Sequence, residues 1–205
     1  MLFRWVAIPC LLAIVFFLAG CAVGDKRHKI IVSVPDQELL LLRDEIPIAI
    51  YPVSTSKFGL SDQPNSNGTP LGEFRIHTKI GDGLPLGAVL KSRRPTGEII
   101  PVNAPGRDPI VTRILWLEGR EAKNRNASSR FIYIHGTPEE RTIGQPASYG
   151  CIRMRSQDVA ALYGIVGTGA RVRITTDHLP PRPQPTTPTP IHAEIPTPAP
   201  INSTP

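Results

Sequence analysis

A chain of 205 residues suits one domain with appendages, and its 40% apolar content supports a packed core, which excludes wholesale disorder. Three cysteines close at most one bridge and leave one over, which excludes a disulfide scaffold. The formal net charge of +6, from 23 Lys and Arg against 17 Asp and Glu, calls for an anionic partner such as a membrane surface or an acidic polymer, while 6% aromatics argue against nucleic acid.

The N-terminus reads Met1-Leu2-Phe3-Arg4 and then runs uncharged to Gly20, the pattern of a secretory signal. Pro9 interrupts the run, which falls short of the ~20 apolar residues of a spanning helix. Leu18-Ala19-Gly20-Cys21 resembles the bacterial lipobox, whose cysteine is diacylated before cleavage. That resemblance implies that residues 1–20 are removed and that Cys21 is the lipidated residue. With Ala22 rather than aspartate behind it, it also implies an outer-membrane anchor facing the periplasm. Residues 21–28 are then the anchor and a short polar tether. Cys10 departs with the signal, so Cys151 is the one thiol left. In an oxidising compartment such a thiol is either buried and inert or kept for its reactivity.

Strand signals fill residues 29–176. Residues 29–34, Glu38–Arg43 and 46–53 are β-branched or leucine runs parted by Pro-Asp and Asp-Glu turns. Residues 73–78 alternate with Phe74 and Ile76 on one face, and 110–117, 131–134 and Arg171–Thr175 are further strands. Residues 81–108 are rich in Gly and Pro and read as loop, a candidate lid, interrupted by a strand at Ala88–Lys91. One helix is expected, N-capped by Ser156, with Asp158 in its first turn and Val159, Leu162 and Tyr163 sharing a face before Gly164 and Gly167. The sum is a mainly β sandwich or barrel-like domain with one or two short helices. Ten of the 23 prolines fall in the last 29 residues, which predicts a disordered Pro/Thr-rich tail over 177–205.

Two residues carry candidate chemistry. The strand at 131–134 delivers His135 into a Gly-Thr-Pro turn, and 16 positions later Cys151 sits in a Gly-Cys turn ahead of the helix. A thiol nucleophile needs a base within reach and a group to orient that base, and an imidazolium beside it shifts thiol to thiolate. Gly150 lets a substrate carbonyl approach the backbone, where its N–H and that of Cys151 face a developing oxyanion, worth about 3–4 kcal/mol per donor. Arg153 and Arg155 add positive potential that favours both a thiolate and a carboxylate-bearing substrate. Arg153 also suits an ion pair tying down the turn, and Ser148 a local turn bond. Arg93-Arg94 reads as solvated loop, with contact to acidic peptides as the alternative. No Cys-x-x-Cys or His-x-x-x-His pair occurs, so no metal or other cofactor is expected. A papain-like peptidase places its cysteine before its histidine, the reverse of the order here.

His135-Gly136 followed by Ser148-Tyr149-Gly150-Cys151-Ile152-Arg153 resembles the hallmark of the L,D-transpeptidase catalytic domain, the YkuD-like family. Val53-Ser54-Thr55-Ser56 and Thr69-Pro70-Leu71-Gly72-Glu73-Phe74 extend the resemblance over residues 29–176. It implies peptidoglycan stem peptides as the partner. Cys151 would attack the carbonyl between a diamino acid, usually meso-diaminopimelate, and D-alanine. His135 would act as general acid and base, oriented by the Gly136 carbonyl. The resulting thioester would pass to an amine, giving a 3–3 cross-link or a protein–wall link. Ser148, Tyr149, Gly150 and Arg153 are the substrate and oxyanion candidates. Transfer to water, which is L,D-carboxypeptidase trimming, is the alternative activity, and a non-catalytic peptidoglycan-binding lipoprotein the alternative class. Tyr149 stands where many members have His or Arg, and a phenol can donate a hydrogen bond from the same place.

Overall fold

The computed structural model describes residues 24–181. The expected signal, Cys21 and the Pro-rich stretch from 182 onward lie outside the described residues. The fold is mainly β, as expected. Its strands are β1 (His28–Ser33), β2 (Glu38–Arg43), β3 (Ile46–Pro52), β4 (Gly72–Ile80), β5 (Ala88–Lys91), β6 (Arg94–Ile99), β7 (Ile110–Gly119), β8 (Tyr133–Gly136), β9 (Ile152–Met154) and β10 (Arg171–Thr175). A 3-10 turn (Glu140–Thr142) precedes β9, and the α-helix α1 (Ser156–Ile165) follows it.

One sheet joins the strands in the order β3-β2-β1-β10-β4-β7-β5-β6, with β8 branching from β7 and β9 from β8. The β1–β10 and β8–β9 pairs are parallel. The β2–β3 hairpin turns on Asp44 and Glu45, both left-handed at φ 51° and 62°, as a two-residue type I′ turn requires. Arg27 pairs with Asp44, and Lys29 and Arg171 with Glu45, which pins that corner.

Strand β7 separates two apolar layers, because its side chains alternate between faces. Leu115 and Leu117 enter the main core with Phe74, Ile134, Ile152 and Val172. Ile114 joins Leu90 and Tyr133 in a smaller cluster, against which Trp116 and Cys151 pack. Each fully buried Leu or Ile contributes roughly 1.5–3 kcal/mol, so the large core holds the sheet rigid while the small one carries the thiol.

Three expectations need correction. Residues 81–108 are not a free lid: β5 and β6 form a hairpin, and β5 also pairs with β7. Every side chain of β6 is exposed, so it shows no hydrophobic alternation, and Pro95 and Gly97 disguise it further. Ser156 is the first helical residue rather than the N-cap, which is Arg155 with no side-chain cap bond. The capping acceptor comes instead from the 3-10 turn, where Glu140 Oε1 receives the Ser156 N–H at 2.8 Å. Finally, α1 runs through Gly164 to Ile165 instead of stopping before it.

Candidate active site

The strand carrying His135 lies two residues later than the pattern at 131–134 predicts. Phe131 is left-handed at φ 57°, and Ile132 N–H bonds back to Ala127 O at 3.0 Å, so the preceding turn ends there and His135 falls inside β8. Strand β7 bulges opposite it, with a register shift between Val111 and Ile114. Thr112 sits at the bulge with φ 69°, fully buried, its hydroxyl donating to Ser156 Oγ at 2.9 Å and accepting the Gly87 N–H at 2.9 Å. The bulge sets Val111 opposite Gly136 and Ile114 opposite His135. A Cβ on Gly136 would lie 2.6 Å from Val111 O, so this close approach requires glycine.

His135 is 6% exposed, and its Nδ1 lies 2.9 Å from Gly136 O. A carbonyl only accepts, so Nδ1 carries the proton and Nε2 presents its lone pair. Burial pulls the imidazole pKa down to about 4. The Gly136 bond opposes this, and the Arg153 charge adds to the lowering.

Cys151 immediately precedes β9, whose Arg153 stands opposite His135. Strand alternation therefore puts Tyr133, His135, Cys151 and Arg153 on one face, and Ile134, Ile152 and Met154 on the core face. Cys151 precedes the ladder by one residue, two positions ahead of the Arg153 that His135 faces. Its thiol donates to Phe131 O at 3.3 Å. Burial pushes the thiol up to about 11, only partly offset by the Tyr133 N–H and by the charges of Arg153 and Arg130. Both shifts run against an imidazolium–thiolate pair, because apolar surroundings disfavour the charged form of each group.

The turn before Cys151 is tied from three sides. Ser148, 1% exposed, donates to Cys151 O at 2.5 Å and accepts the Gly150 N–H at 3.2 Å. Thr69 Oγ1 donates to Gly150 O at 3.1 Å. Behind it runs the segment 53–57: Ser54 and Arg153 exchange backbone bonds at 3.0 and 2.9 Å, and Thr55 O accepts from both Ala147 and Ser148. Gln37 holds Thr55 in turn, through its side-chain amide, at 2.7 and 2.8 Å. Gly150 has φ +117°, and a Cβ there would meet Gly68 O at 3.2 Å, so the turn requires glycine.

Two expected oxyanion candidates, Gly150 and Ser148, bond to the turn itself. The Gly150 N–H is held by Ser148, and the Ser148 hydroxyl is turned into the protein. Arg153, buried, ion-pairs with Asp108, whose other oxygen accepts from Thr137 Oγ1 at 2.6 Å. Tyr149 is 59% exposed and accepts from Lys57 Nζ at 2.9 Å, with the ammonium 4.3 Å from its ring centroid, an arrangement that lowers the phenol's pKa. Arg155 is exposed at the start of α1.

Asp108, Lys57 and the Phe131 carbonyl were not legible in the sequence, and Arg93 was legible only as one of a loop doublet with acidic peptides as its alternative contact. Arg93 is half-buried, its guanidinium 5.0 Å from the Trp116 ring and 5.1 Å from the Phe131 ring. Asp108, Lys57 and Arg93 sit in no periodic pattern, and Phe131 opens the 131–134 pattern, which says nothing of its carbonyl. A cleft of about 300 Å³ beside the turn is lined by residues including Asn65, Asn67, Arg130, Phe131 and Tyr149. A hollow of about 320 Å³ at Leu86, Ile99 and Val102 contains neither His135 nor Cys151. Among the described residues, no cluster of three or more His, Cys, Asp or Glu is placed to hold a metal ion.

The family model of the L,D-transpeptidase catalytic domain matches residues 27–174. YqjB of Bacillus subtilis (strain 168) is 29% identical over 149 residues, covering 73% of this chain and 72% of that protein. YkuD of Bacillus licheniformis is 36% identical over 90 residues, covering 44% of this chain and 49% of that protein. Both relatives carry L,D-transpeptidase as their assigned name. A solved structure of L,D-transpeptidase 3 from Mycobacterium tuberculosis with a faropenem-derived adduct is similar at 17% identity and a TM-score of 0.48, covering 73% of this chain and 60% of that one. The chain thus spans about half of YkuD and three-fifths of the solved chain.

Proposed function

The chain belongs to the L,D-transpeptidase catalytic-domain family, and from that membership we propose that it is a cysteine acyltransferase acting on peptidoglycan stem peptides. The observation that carries the proposal is the pair Cys151 and His135 on one face of the β8–β9 ladder, with the imidazole neutral and its Nε2 lone pair available. Because apolar surroundings favour the protonated thiol, proton transfer in this reading accompanies attack instead of preceding it.

In the first step the thiol turns from Phe131 O toward His135. Nε2 takes the proton as sulfur bonds to the carbonyl carbon between the diamino acid and D-alanine. The oxyanion faces the Cys151 N–H, since the Gly150 N–H is held by Ser148. The C–N bond then breaks, His135 returns the proton to the departing D-alanine, and a thioester remains on Cys151. In the second step an amine attacks the thioester, His135 takes the amine proton and passes it to the leaving thiol. An amine from a neighbouring stem gives a 3–3 cross-link, and one from a protein gives a protein–wall link.

Lipidation of Cys21 is part of the proposal, supported by the uncharged run and Leu18-Ala19-Gly20-Cys21. Asp25 N–H already bonds Thr168 O at 2.7 Å, so only residues 22–24 separate the anchor from the folded body, a reach of roughly 14 Å. The domain would work close against the membrane, at the periplasmic side of the outer membrane. Labelling of cells with a tagged fatty acid should mark the wild-type chain and not Cys21→Ser; equal labelling of both would remove the anchor.

The test of the activity is to incubate the full-length chain, in detergent, with a disaccharide-tetrapeptide and a stem-peptide amine acceptor, and to follow D-alanine and products by mass spectrometry. Wild type should release D-alanine and form the cross-linked product, and Cys151→Ala neither. Equal release by both would refute the assignment.

A further inference from the structure

Resting on the acyltransfer reading above, we propose that Arg93 is the carboxylate-binding residue of the donor site, gripping an acid group of the peptide that acylates Cys151. Arg93 sits at the tip of the β5–β6 hairpin. Ser92 and Arg93 are both left-handed, at φ 49° and 66°, in the two central positions of a turn that ordinarily favours Asn and Gly. The hairpin thus holds a large cationic side chain where a small residue would be easier to accommodate, and such strain gathers at binding sites.

The placement of the guanidinium is what points to a ligand. Its central carbon lies 5.0 Å from the Trp116 ring centroid and 5.1 Å from that of Phe131, within cation–π range of both, and rings accept few of its N–H donors. Of five donors, Nη1 reaches Tyr133 Oη at 3.4 Å, the limit of a hydrogen bond. Among the described residues no carboxylate pairs with it, whereas Arg27, Arg75, Arg107, Arg153 and Arg171 each have one. Arg113 and Arg130 are satisfied by carbonyl oxygens. The rings under Arg93 belong to the nucleophile's own surroundings: Phe131 O accepts from the thiol, and Trp116 packs against the same apolar cluster as Cys151. A half-buried guanidinium with an open fork binds a carboxylate bidentately and more strongly than a solvated one. The two residues that flank the scissile bond of a stem tetrapeptide offer two such groups, the terminal carboxylate of the last residue and the side-chain carboxylate of the diamino acid.

The test uses the full-length chain in detergent and three synthetic tetrapeptide donors: both acids free, terminal carboxylate amidated, and diamino-acid side-chain carboxylate amidated. Arg93→Gln should lower kcat/KM for release of the last residue about 10–100-fold on the free-acid donor, mainly through KM, the range of a charged hydrogen bond. Wild type should lose the same factor on one of the amidated donors, and on that donor Arg93→Gln should lose nothing further; which donor it is identifies the carboxylate. Arg93→Lys should recover part of the loss, and Arg94→Gln, the same charge change next door, should match wild type. No loss in Arg93→Gln, or equal losses on all three donors, would overturn the proposal. Calorimetric binding of the same donors to Cys151→Ala, with and without Arg93→Gln, separates this proposal from the reading beneath it. Binding that needs both Arg93 and a carboxylate, with no release by wild type, keeps Arg93 and sinks acyl transfer. Release that ignores Arg93 does the reverse, and neither binding nor release sinks both.

Discussion

The thiol of Cys151 donates to the main-chain carbonyl of Phe131, 3.3 Å away, and Phe131 is held in the left-handed region at φ 57°. An aromatic residue is an outlier in that region. It is kept there because Phe131 N–H bonds Ser128 O at 3.1 Å and closes the turn. A carbonyl can accept from S–H but offers nothing to a thiolate, so the contact and the burial act in the same direction.

The resting pair should therefore react as thiol and neutral imidazole. Burial holds the thiol near 11 and the imidazole near 4. Alkylation of Cys151 by iodoacetamide should rise steadily with pH through neutrality, with its half-maximum on the alkaline side toward 11. Acylation by donor peptide, which needs His135 as base, should lose rate only as pH falls toward 4. An alkylation plateau reached below pH 7 would indicate a thiolate–imidazolium pair instead.

Ser148→Ala removes one hydroxyl that serves both the Gly150 N–H and the Cys151 carbonyl. Buried groups left without partners cost about 1–3 kcal/mol, which for a domain of this size lowers Tm by roughly 2–10 °C. Acylation should slow as well, because the turn that aims the thiol loosens. Calorimetry and donor kinetics on the same protein check both effects, and an unchanged Tm would show that the turn does not depend on this hydroxyl.

Asp108→Asn leaves the Arg153 charge, with its side chain only 10% exposed, without its counter-ion. Breaking a fully buried pair costs about 3–5 kcal/mol. Asp108 is 28% exposed, so solvent screening reduces the expected loss to about 2–3 kcal/mol. Denaturant unfolding measures it, and a loss under 0.5 kcal/mol would mean that water replaces Asp108 adequately.

Asp25 ties the tether to the folded body through the amides of Gly167 and His28, at 2.7 and 3.0 Å, and the His28 ring at 2.8 Å. Burial raises its pKa, but these bonds outweigh burial and hold it below the ordinary 3.8. A depressed carboxylate contributes stability above its unfolded pKa and loses it as pH falls through the folded value. Asp25→Asn should thus lower Tm at pH 7, and the gap from wild type should close as the pH drops below 3.8. A gap that stays constant into acid would mean that the carboxylate's charge is irrelevant.

Regular, half-buried segments were legible in the sequence. Strands β2, β5 and β10 have the bounds that their residue patterns predict, and α1 buries Val159, Leu162 and Tyr163 as the spacing requires. Strand β9 was not legible, because three residues inside a motif carry no period, and β6 was not because it buries nothing. At the site, the His135–Cys151 spacing could be read directly. The direction of the Gly150 amide could not, since it depends on a backbone angle of +117° fixed by Thr69 and the segment around Thr55. Nor could the pull on the thiol toward its protonated form be read, since it comes from the apolar layer that Leu90 and Ile114 bring from distant strands.

The most direct measurement is the intact mass of the full-length chain, incubated with a stem tetrapeptide without added acceptor and quenched in acid. The proposed mechanism predicts an adduct equal to the donor less D-alanine, mapped to Cys151, absent from Cys151→Ala and strongly reduced in His135→Ala. D-alanine release with an adduct on another residue, or a folded wild-type protein that never gains the acyl mass or releases D-alanine, would contradict it.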